Sequence, residues 1–305
     1  MMRKFVSIAI PAYKSAYLTE SINSVISQTY SNWELIIVND CSPNNIEGVI
    51  EKFSDSRIRY YKNEKNIGGA DPVANWNKCL SYAKGDFFCL LCDDDVYAPT
   101  FLETMLELAE KYPHCNVFKS RVQTVDKEGQ VLTYFPSSPE WESTSDYLWH
   151  VAYGHRKQTV SEWMYRTKRM RESGGYAAVP MAWGADYLSS MLFGAEGGIC
   201  ASIKPLVNFR RSGENISNNY AHHVKEKLEG TLVYTQKLKK MVEDYGMDES
   251  LYPLIEKIKR TELIATIGVS KWRDFFKIFI HKKRFEISSK MIGYALLNRL
   301  IRSLR

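Results

Sequence analysis

The chain has 305 residues, 45% hydrophobic and 25% charged, which excludes disordered and fibrous classes and leaves room for one large α/β domain with an appendage. Its net charge of +6 sits at one end: Lys271–Arg305 carries ten Lys or Arg against Asp274 and Glu286, so the preceding residues are slightly acidic and nucleic acid is not an expected partner. The sequence has no run of about 18 apolar residues, so no membrane-spanning helix is expected.

The opening MMRKFVSIAIPAY has two basic residues and a short apolar run, Phe5–Ile10, closed by Pro11. It reads as a first buried strand and not as a signal peptide, which makes the cytoplasm the expected compartment. Leu18, Ile22, Val25 and Ile26 then share one helical face. Trp33–Val38 reads as a second strand, Asn45–Phe53 as a weak helix and Ile58–Tyr61 as a short strand. A helix over Pro72–Ala83 turns Val73, Trp76, Asn77 and Leu80 inward. The apolar run Asp86–Leu91 is the next strand, and Pro99 is placed as the first residue of a helix that buries Leu102, Met105, Leu106 and Ala109. Strands separated by helices imply βαβ units and a mainly parallel sheet. From 115 to 220 the pattern is less regular and rich in aromatics, and 225–305 reads as helical with Pro253 its only proline. Six cysteines are scattered through the chain. The Cys89–Cys92 pair lies in an apolar run with no second CxxC, so reduced, structural thiols are expected over a zinc or redox site.

In open parallel sheets, ligands bind beyond the carboxyl ends of the strands. Here the first strand ends in Pro11-Ala12-Tyr13, the second in Asn39-Asp40, and the central one in Cys92-Asp93-Asp94-Asp95. Three adjacent carboxylates repel one another. A solvated turn is one reading; the position favours a hard divalent cation, and an oxygen-only ligand set favours Mg²⁺ or Mn²⁺ over zinc. Such a cation suits a nucleoside diphosphate, with Asp40 available to the base or ribose. Neither G-x-G-x-x-G nor G-x-x-x-x-G-K-[ST] is present to hold phosphate instead.

The stretches V6-S7-I8-A9-I10-P11-A12-Y13, W33-E34-L35-I36-I37-V38-N39-D40-C41-S42, N66-I67-G68-G69-A70 with N75, and L90-L91-C92-D93-D94-D95-V96-Y97-A98-P99 together resemble family 2 glycosyltransferases of GT-A fold, over roughly residues 4–215. The resemblance implies a GT-A α/β fold: a Rossmann-like, mixed and mainly parallel sheet flanked by helices. It divides the chain into a catalytic domain, 1–220, with a nucleotide-sugar half (1–115) and an acceptor half (116–220), followed by a helical basic extension, 221–305. It implies inverting transfer of a sugar from a UDP- or dTDP-linked donor to a hydroxyl of a glycan or lipid-linked acceptor, in cell-surface polysaccharide synthesis, with Mn²⁺ or Mg²⁺.

Carried over by position, Pro11, Ala12, Tyr13, Asp40, Asn66, Asp93 and Arg210 border the donor nucleotide, and Asp94 and Asp95 ligate the metal. Cys92 stands where many relatives have an acid, which leaves the register of the Asp-x-Asp pair open by one position. Gly174-Gly175-Tyr176 and Trp183-Gly184-Ala185-Asp186 resemble the family's acceptor-side segments, which makes Asp186 the general base; a helix cap is the plainer role for it. Ser212 stands where the family's Arg-x-His segment carries its histidine.

In the tail, Trp272, Phe275, Phe276, Ile278, Phe279 and Ile280 interleave with basic residues, and Leu296, Leu297, Leu300 and Ile301 alternate with arginines. A peripheral membrane contact through 270–305 is expected, with packing on the domain or an oligomer contact as the alternatives. Competing functions are a non-catalytic glycan-binding scaffold of the same fold and a metal-dependent phosphatase; the latter fits poorly because Tyr97 follows the Asp93-x-Asp95 pair.

Overall fold

The computed structural model describes residues 4–213 and 223–303. Its first elements follow the expected alternation: β1 (Val6–Ala12), α1 (Leu18–Ile26), β2 (Trp33–Asn39), α2 (Ile46–Ile50), β3 (Ile58–Lys62), α3 (Pro72–Ser81), β4 (Phe87–Leu90), β5 (Val96–Tyr97) and α4 (Phe101–Lys111). Then come β6 (Val117–Val125), β7 (Val131–Tyr134), β8 (Trp141–Glu142), α5 (Thr144–Ala152), β9 (Trp163–Arg166), α6 (Thr167–Glu172), a 3-10 turn at Pro180–Ala182, α7 (Ala185–Gly194) and β10 (Ile199–Arg210). Four helices complete the chain: α8 (Val224–Asp244), α9 (Leu251–Val269), α10 (Trp272–Ile280) and α11 (Ser289–Ser303).

One sheet runs in the order β3-β2-β1-β4-β9-β6-β10-β5, with β7 on β6 and β8 on β10. The long ladders β1–β2, β2–β3 and β6–β10 are parallel; the antiparallel pairs are short, and β9 enters antiparallel between β4 and β6. Alternate residues along the central strands feed two separate cores, as the two-residue pleat requires. Val6, Ile8, Ile10, Leu35, Ile37, Phe87 and Cys89 pack towards α1, α2 and α4. Ala9, Ile36, Val38, Phe88 and Leu90 pack towards α3, α5 and α7.

Two local expectations change. Pro11 lies inside β1 and pairs with Val38, whereas β4 follows β1 only to Ala9, so the missing N–H breaks no β1–β4 ladder bond. Pro99 precedes α4 instead of opening it: the Pro99 carbonyl accepts the Thr29 amide at 2.9 Å, and Thr100 takes the cap position.

The helical segment after β10 divides into two layers. Tyr234, Leu238, Met241 and Val242 of α8, with Leu251, Ile255 and Ile258 of α9, belong to the same core as Tyr147, Leu188 and Phe193. Outside them, Phe275, Ile278, Met291, Ile292 and Ala295 of α10 and α11 pack on Val224, Leu228, Leu263 and Ile267. No helix among the described residues is long and apolar enough to cross a membrane.

Because α8 closes one face of the sheet, Leu238→Ala is expected to cost about 2–5 kcal/mol. Urea denaturation followed by near-UV and far-UV signals should show one shifted transition; an early, separate loss of helix would contradict a shared core.

Candidate active site

The ends of β1, β2 and β4 meet at one edge of the sheet, and each acid there is tied to a different segment. Asp93 Oδ2 accepts the backbone amides of Tyr13 at 2.8 Å and Lys14 at 2.7 Å, so it shapes the Pro11–Lys14 turn. Burial pushes the Asp93 carboxyl up to about 6 against those two bonds. Asp94 Oδ2 faces Lys14 Nζ at 3.1 Å and the Ser212 hydroxyl at 3.3 Å. Lys14 keeps its proton firmly: burial works against its charge, but Asp94 and Asp93 outweigh it. Asp95 is wholly buried; Oδ2 accepts the Ser161 hydroxyl at 2.6 Å and Oδ1 the Arg210 amide at 3.1 Å. Burial, then the neighbouring Asp94 charge, drives the Asp95 carboxyl well above the usual range.

Asp40 is also buried. It takes the Asn63 amide at 2.8 Å and the backbone amides of Ile67 and Gly68 at 2.8 and 2.7 Å, so as placed it holds the 66–68 turn. Asn66 completes that turn by accepting the Gly69 amide at 2.7 Å, and a Cβ on Gly69 would lie 2.3 Å from the Asn66 oxygen. Pro11 and Ala12 are backbone of β1, while the Tyr13 ring is 41% exposed at the mouth of this edge. Arg210 differs from a phosphate ligand: it is 3% exposed and its guanidinium reaches Glu20 at 2.5 Å, the Asp94 carbonyl at 3.2 Å and the Lys127 carbonyl at 2.8 Å. Its charge holds the acidic turn from behind. Asn215 and Ser217, beyond Ser212, lie outside the described residues.

On the acceptor side, Asp186 sits in the first turn of α7, with Gly184 in the cap position, and its carboxylate meets first-turn backbone amides. A carboxylate at a helix start is ordinarily favoured. Here burial prevails and pushes Asp186 up to about 6, opposed by the backbone amides of Tyr187 and Asp186 and by the Gln158 side chain. Asn77 of α3 fixes the neighbouring glycine segment by accepting the Tyr176 amide at 2.7 Å and donating to its carbonyl at 3.1 Å.

The segment 158–162, which the sequence does not mark, joins the two sides. Gln158 reaches Asp186, Ser161 binds both Asp95 and the Cys92 amide, and Glu162 pairs with Lys119 at 2.8 Å. Gln158 and Ser161 stand three residues apart, so one short stretch of chain touches both Asp186 and the acidic turn. Burial lifts Glu162 to about 7 with Lys119 opposing, and the Asp186 charge adds to the rise.

No group of three or more His, Cys, Asp or Glu side chains among the described residues converges on a metal position. The donor set still fits Mg²⁺ or Mn²⁺, which are held by one or two carboxylates plus substrate phosphate instead of an all-protein cage. Asp94 stands between Lys14 and Ser212, and its charge adds to burial, the larger cause, in raising the Asp93 and Asp95 carboxyls, so a bound cation would ease the crowding of like charge. The six cysteines form no disulfide, and burial raises the Cys89 and Cys92 thiols.

A mixed sheet in this strand order with an acidic turn after β4 defines a glycosyltransferase of GT-A fold. The profile of Glycosyl transferase family 2 matches residues 7–169, and the chain belongs to that family. Among curated relatives, the Escherichia coli UDP-Glc:alpha-D-GlcNAc-diphosphoundecaprenol beta-1,3-glucosyltransferase WfgD is 38% identical over 107 residues, covering 35% of this chain and 41% of that protein. The putative glycosyltransferase EpsE of Bacillus subtilis is 34% identical over 127 residues, covering 40% of this chain and 45% of the relative. The matches therefore span less than half the length of either relative. Among solved structures, S. aureus TarS 1–349 in complex with UDP-GlcNAc superposes with a TM-score of 0.66 at 18% identity, over 97% of this chain and 88% of that one.

Asp186 binds a proton more tightly folded, near 6, than unfolded, near 4. Its contribution therefore lowers stability as pH rises from about 4 to about 6 and is constant above that. Asp186→Asn should be more stable than wild type at pH 7.5, by no more than about 3 kcal/mol since one edge of Asp186 stays open to solvent. The advantage should vanish near pH 4; urea titrations at the two pH values check it, and an unchanged or reduced stability at pH 7.5 contradicts it.

Proposed function

We propose that this glycosyltransferase is inverting and metal-dependent, and that it moves a sugar from a UDP- or dTDP-linked donor to a hydroxyl of a lipid-linked glycan in cell-surface polysaccharide synthesis. The observation that carries the reading is a carboxyl set near 6 at Asp186, joined through Gln158–Ser161 to the Asp93–Asp95 turn. A general base works best when its pKa lies close to the working pH, and burial brings Asp186 towards that range.

In this scheme Tyr13 offers its exposed ring to the nucleobase, and the 66–69 turn held by Asp40 and Asn66 forms the adjoining wall. Asp94, with Lys14 and Ser212 beside it, faces the diphosphate. A divalent cation there would neutralise the departing nucleoside diphosphate, so no acid need protonate it. Asp186 accepts the proton of the acceptor hydroxyl as that oxygen attacks the anomeric carbon from the side opposite the leaving group, which inverts the centre. The donor and acceptor classes draw support from the printed activity of WfgD and from the UDP-GlcNAc complex of TarS.

Calorimetric titration with UDP and dTDP should show binding that strengthens with Mn²⁺ in wild type and loses that gain in Asp94→Asn. Asp186→Asn should bind as wild type does but transfer about 10²–10⁴-fold more slowly. Metal-independent binding, or full transfer by Asp186→Asn, would overturn the corresponding part.

A lipid-linked acceptor calls for contact with a bilayer, and α10 presents a surface suited to it. Phe275 and Ile278 face the protein, while Trp272, Phe276 and Ile280 are 58%, 60% and 73% exposed. Lys271, Arg273 and Lys277 flank them, and Leu297, Leu300 and Ile301 are exposed on α11. The Arg299 guanidinium over the Trp272 ring, 4.3 Å from its centroid, links the two helices. Wild type should co-sediment with vesicles containing phosphatidylglycerol and only weakly with neutral ones, and Phe276→Glu/Ile280→Glu should stay in solution with UDP binding intact. Equal sedimentation of the double variant would remove the membrane role; a concentration-dependent change of mass without vesicles would assign the face to a second copy instead.

A further inference from the structure

The loop that delivers Asp186 is strained. Met181 and Ala182 have φ of 55° and 54°, and Gly184 follows at 84°. Non-glycine residues in the left-handed region are strained, and they persist where the surroundings over-determine them. The surroundings here come from α8 and α9, beyond the 7–169 stretch that the family profile matches.

Gly230 of α8 brings backbone against the loop: a Cβ there would lie 2.8 Å from the Pro180 carbonyl oxygen and 2.9 Å from Trp183 Cβ. Tyr234 of α8 packs on Gly184, where a Cβ would lie 2.9 Å from its ring. Lys227 Nζ sits 4.8 Å from the centroid of the Trp183 ring, a cation over an aromatic face, although the residue is only 1% exposed. Glu262 of α9 accepts a hydrogen bond from the Trp183 side chain, and burial followed by the Asp186 charge raises its own carboxyl. Trp183 itself remains partly exposed. One indole, three residues before the proposed base, is therefore held on its ring face by α8 and at its N–H by α9.

We propose that Glu262 and Lys227 are positioning residues for the acceptor: they fix the plane of Trp183, which serves as the platform on which the acceptor sugar ring stacks beside Asp186. This inference rests on the transferase reading. A pyranose presents C–H groups on one face and hydroxyls at its rim, so an aromatic plane of fixed tilt selects which hydroxyl reaches the carboxylate. An indole tethered at its N–H by a carboxylate has one tilt; an untethered one samples several and binds the sugar less well. The helices that follow the sheet would thus take part in choosing the acceptor, while the donor is handled by β1, β2 and β4.

Acceptor KM, kcat and donor hydrolysis to water can be measured with a panel of alkyl glycosides and alkyl-diphosphate-linked N-acetylglucosamine, using the full chain. Glu262→Leu, which leaves the indole N–H without its partner, should raise the acceptor KM about tenfold or more, with donor hydrolysis and donor KM unchanged. Glu262→Gln keeps an acceptor oxygen and should restore KM to near the wild-type value. In a Trp183→Phe background, Glu262→Leu should add nothing further to KM, since the two changes act through one contact. An unchanged acceptor KM in Glu262→Leu, additive effects in the double variant, or parallel loss of donor hydrolysis would overturn the positioning role while leaving the transferase reading intact. Failure of wild type to transfer to any member of the panel would overturn both.

Discussion

Everything at the site depends on burying the three consecutive carboxylates that follow β4. Buried charges persist only when paired or hydrogen-bonded, and each of these is satisfied from a different part of the chain. Asp93 takes amides from the end of β1, Asp94 takes Lys14 and Ser212, and Asp95 takes Ser161 and the end of β10. The acidic turn is thus the point where the first strand, the last strand and the 158–162 segment are locked to one another. Arg210 closes the arrangement from behind, with its guanidinium shared among carbonyls and Glu20. Division of labour follows: Asp93 and Asp95 bind backbone amides and Ser161 and so build the turn, while among the described residues the Asp94 carboxylate meets side chains, Lys14 and Ser212.

The first hundred residues were legible because their strands are continuous apolar runs, separated by helices with regular apolar spacing. The Asp93–Asp95 cluster was visible as carboxylates where carboxylates are unusual, whereas Asp186 stood out only through its likeness to the family's acceptor-side segment. Lys14 was not. A lysine after Pro-Ala-Tyr looks like any surface charge until the fold sets it against Asp94. Gln158 and Ser161 carry even less signal, being ordinary polar residues in an irregular stretch whose role exists only once β9 is inserted beside β4. Arg210, carried over from the family's Arg-x-His segment as a donor-side residue, lies buried among carbonyls and Glu20, and as placed it braces the acidic turn. The pattern of residues shows which groups are chemically capable, whereas the division between brace and ligand is set by burial, which a single sequence does not display.

The acceptor side was legible only in outline. The Gly174-Gly175-Tyr176 segment stood out by family likeness, but the two left-handed residues Met181 and Ala182 have no sequence signature, and the α8 residues packed on the neighbouring Pro180, Trp183 and Gly184 lie far along the chain. Helical periodicity after residue 224 shows that helices form there. It does not show that Leu238 and Ile255 enter the same core as Phe193, or that α10 keeps one apolar face outward.

The antiparallel strand β9 also has a consequence for assembly. It stands between β4 and β6, so the sheet cannot close at its centre until Trp163–Arg166 is available, long after Phe87–Leu90 has been made. During synthesis the parallel unit β3-β2-β1-β4 can pack on α1 and α2 while its apolar inner edge at β4 stays unpaired, a ready template for another chain. Until that four-residue strand is inserted, the β4 edge is open to pairing with another chain. The same event carries Ser161 and Glu162 into place, so a chain that escapes aggregation acquires its site in the act of closing its sheet.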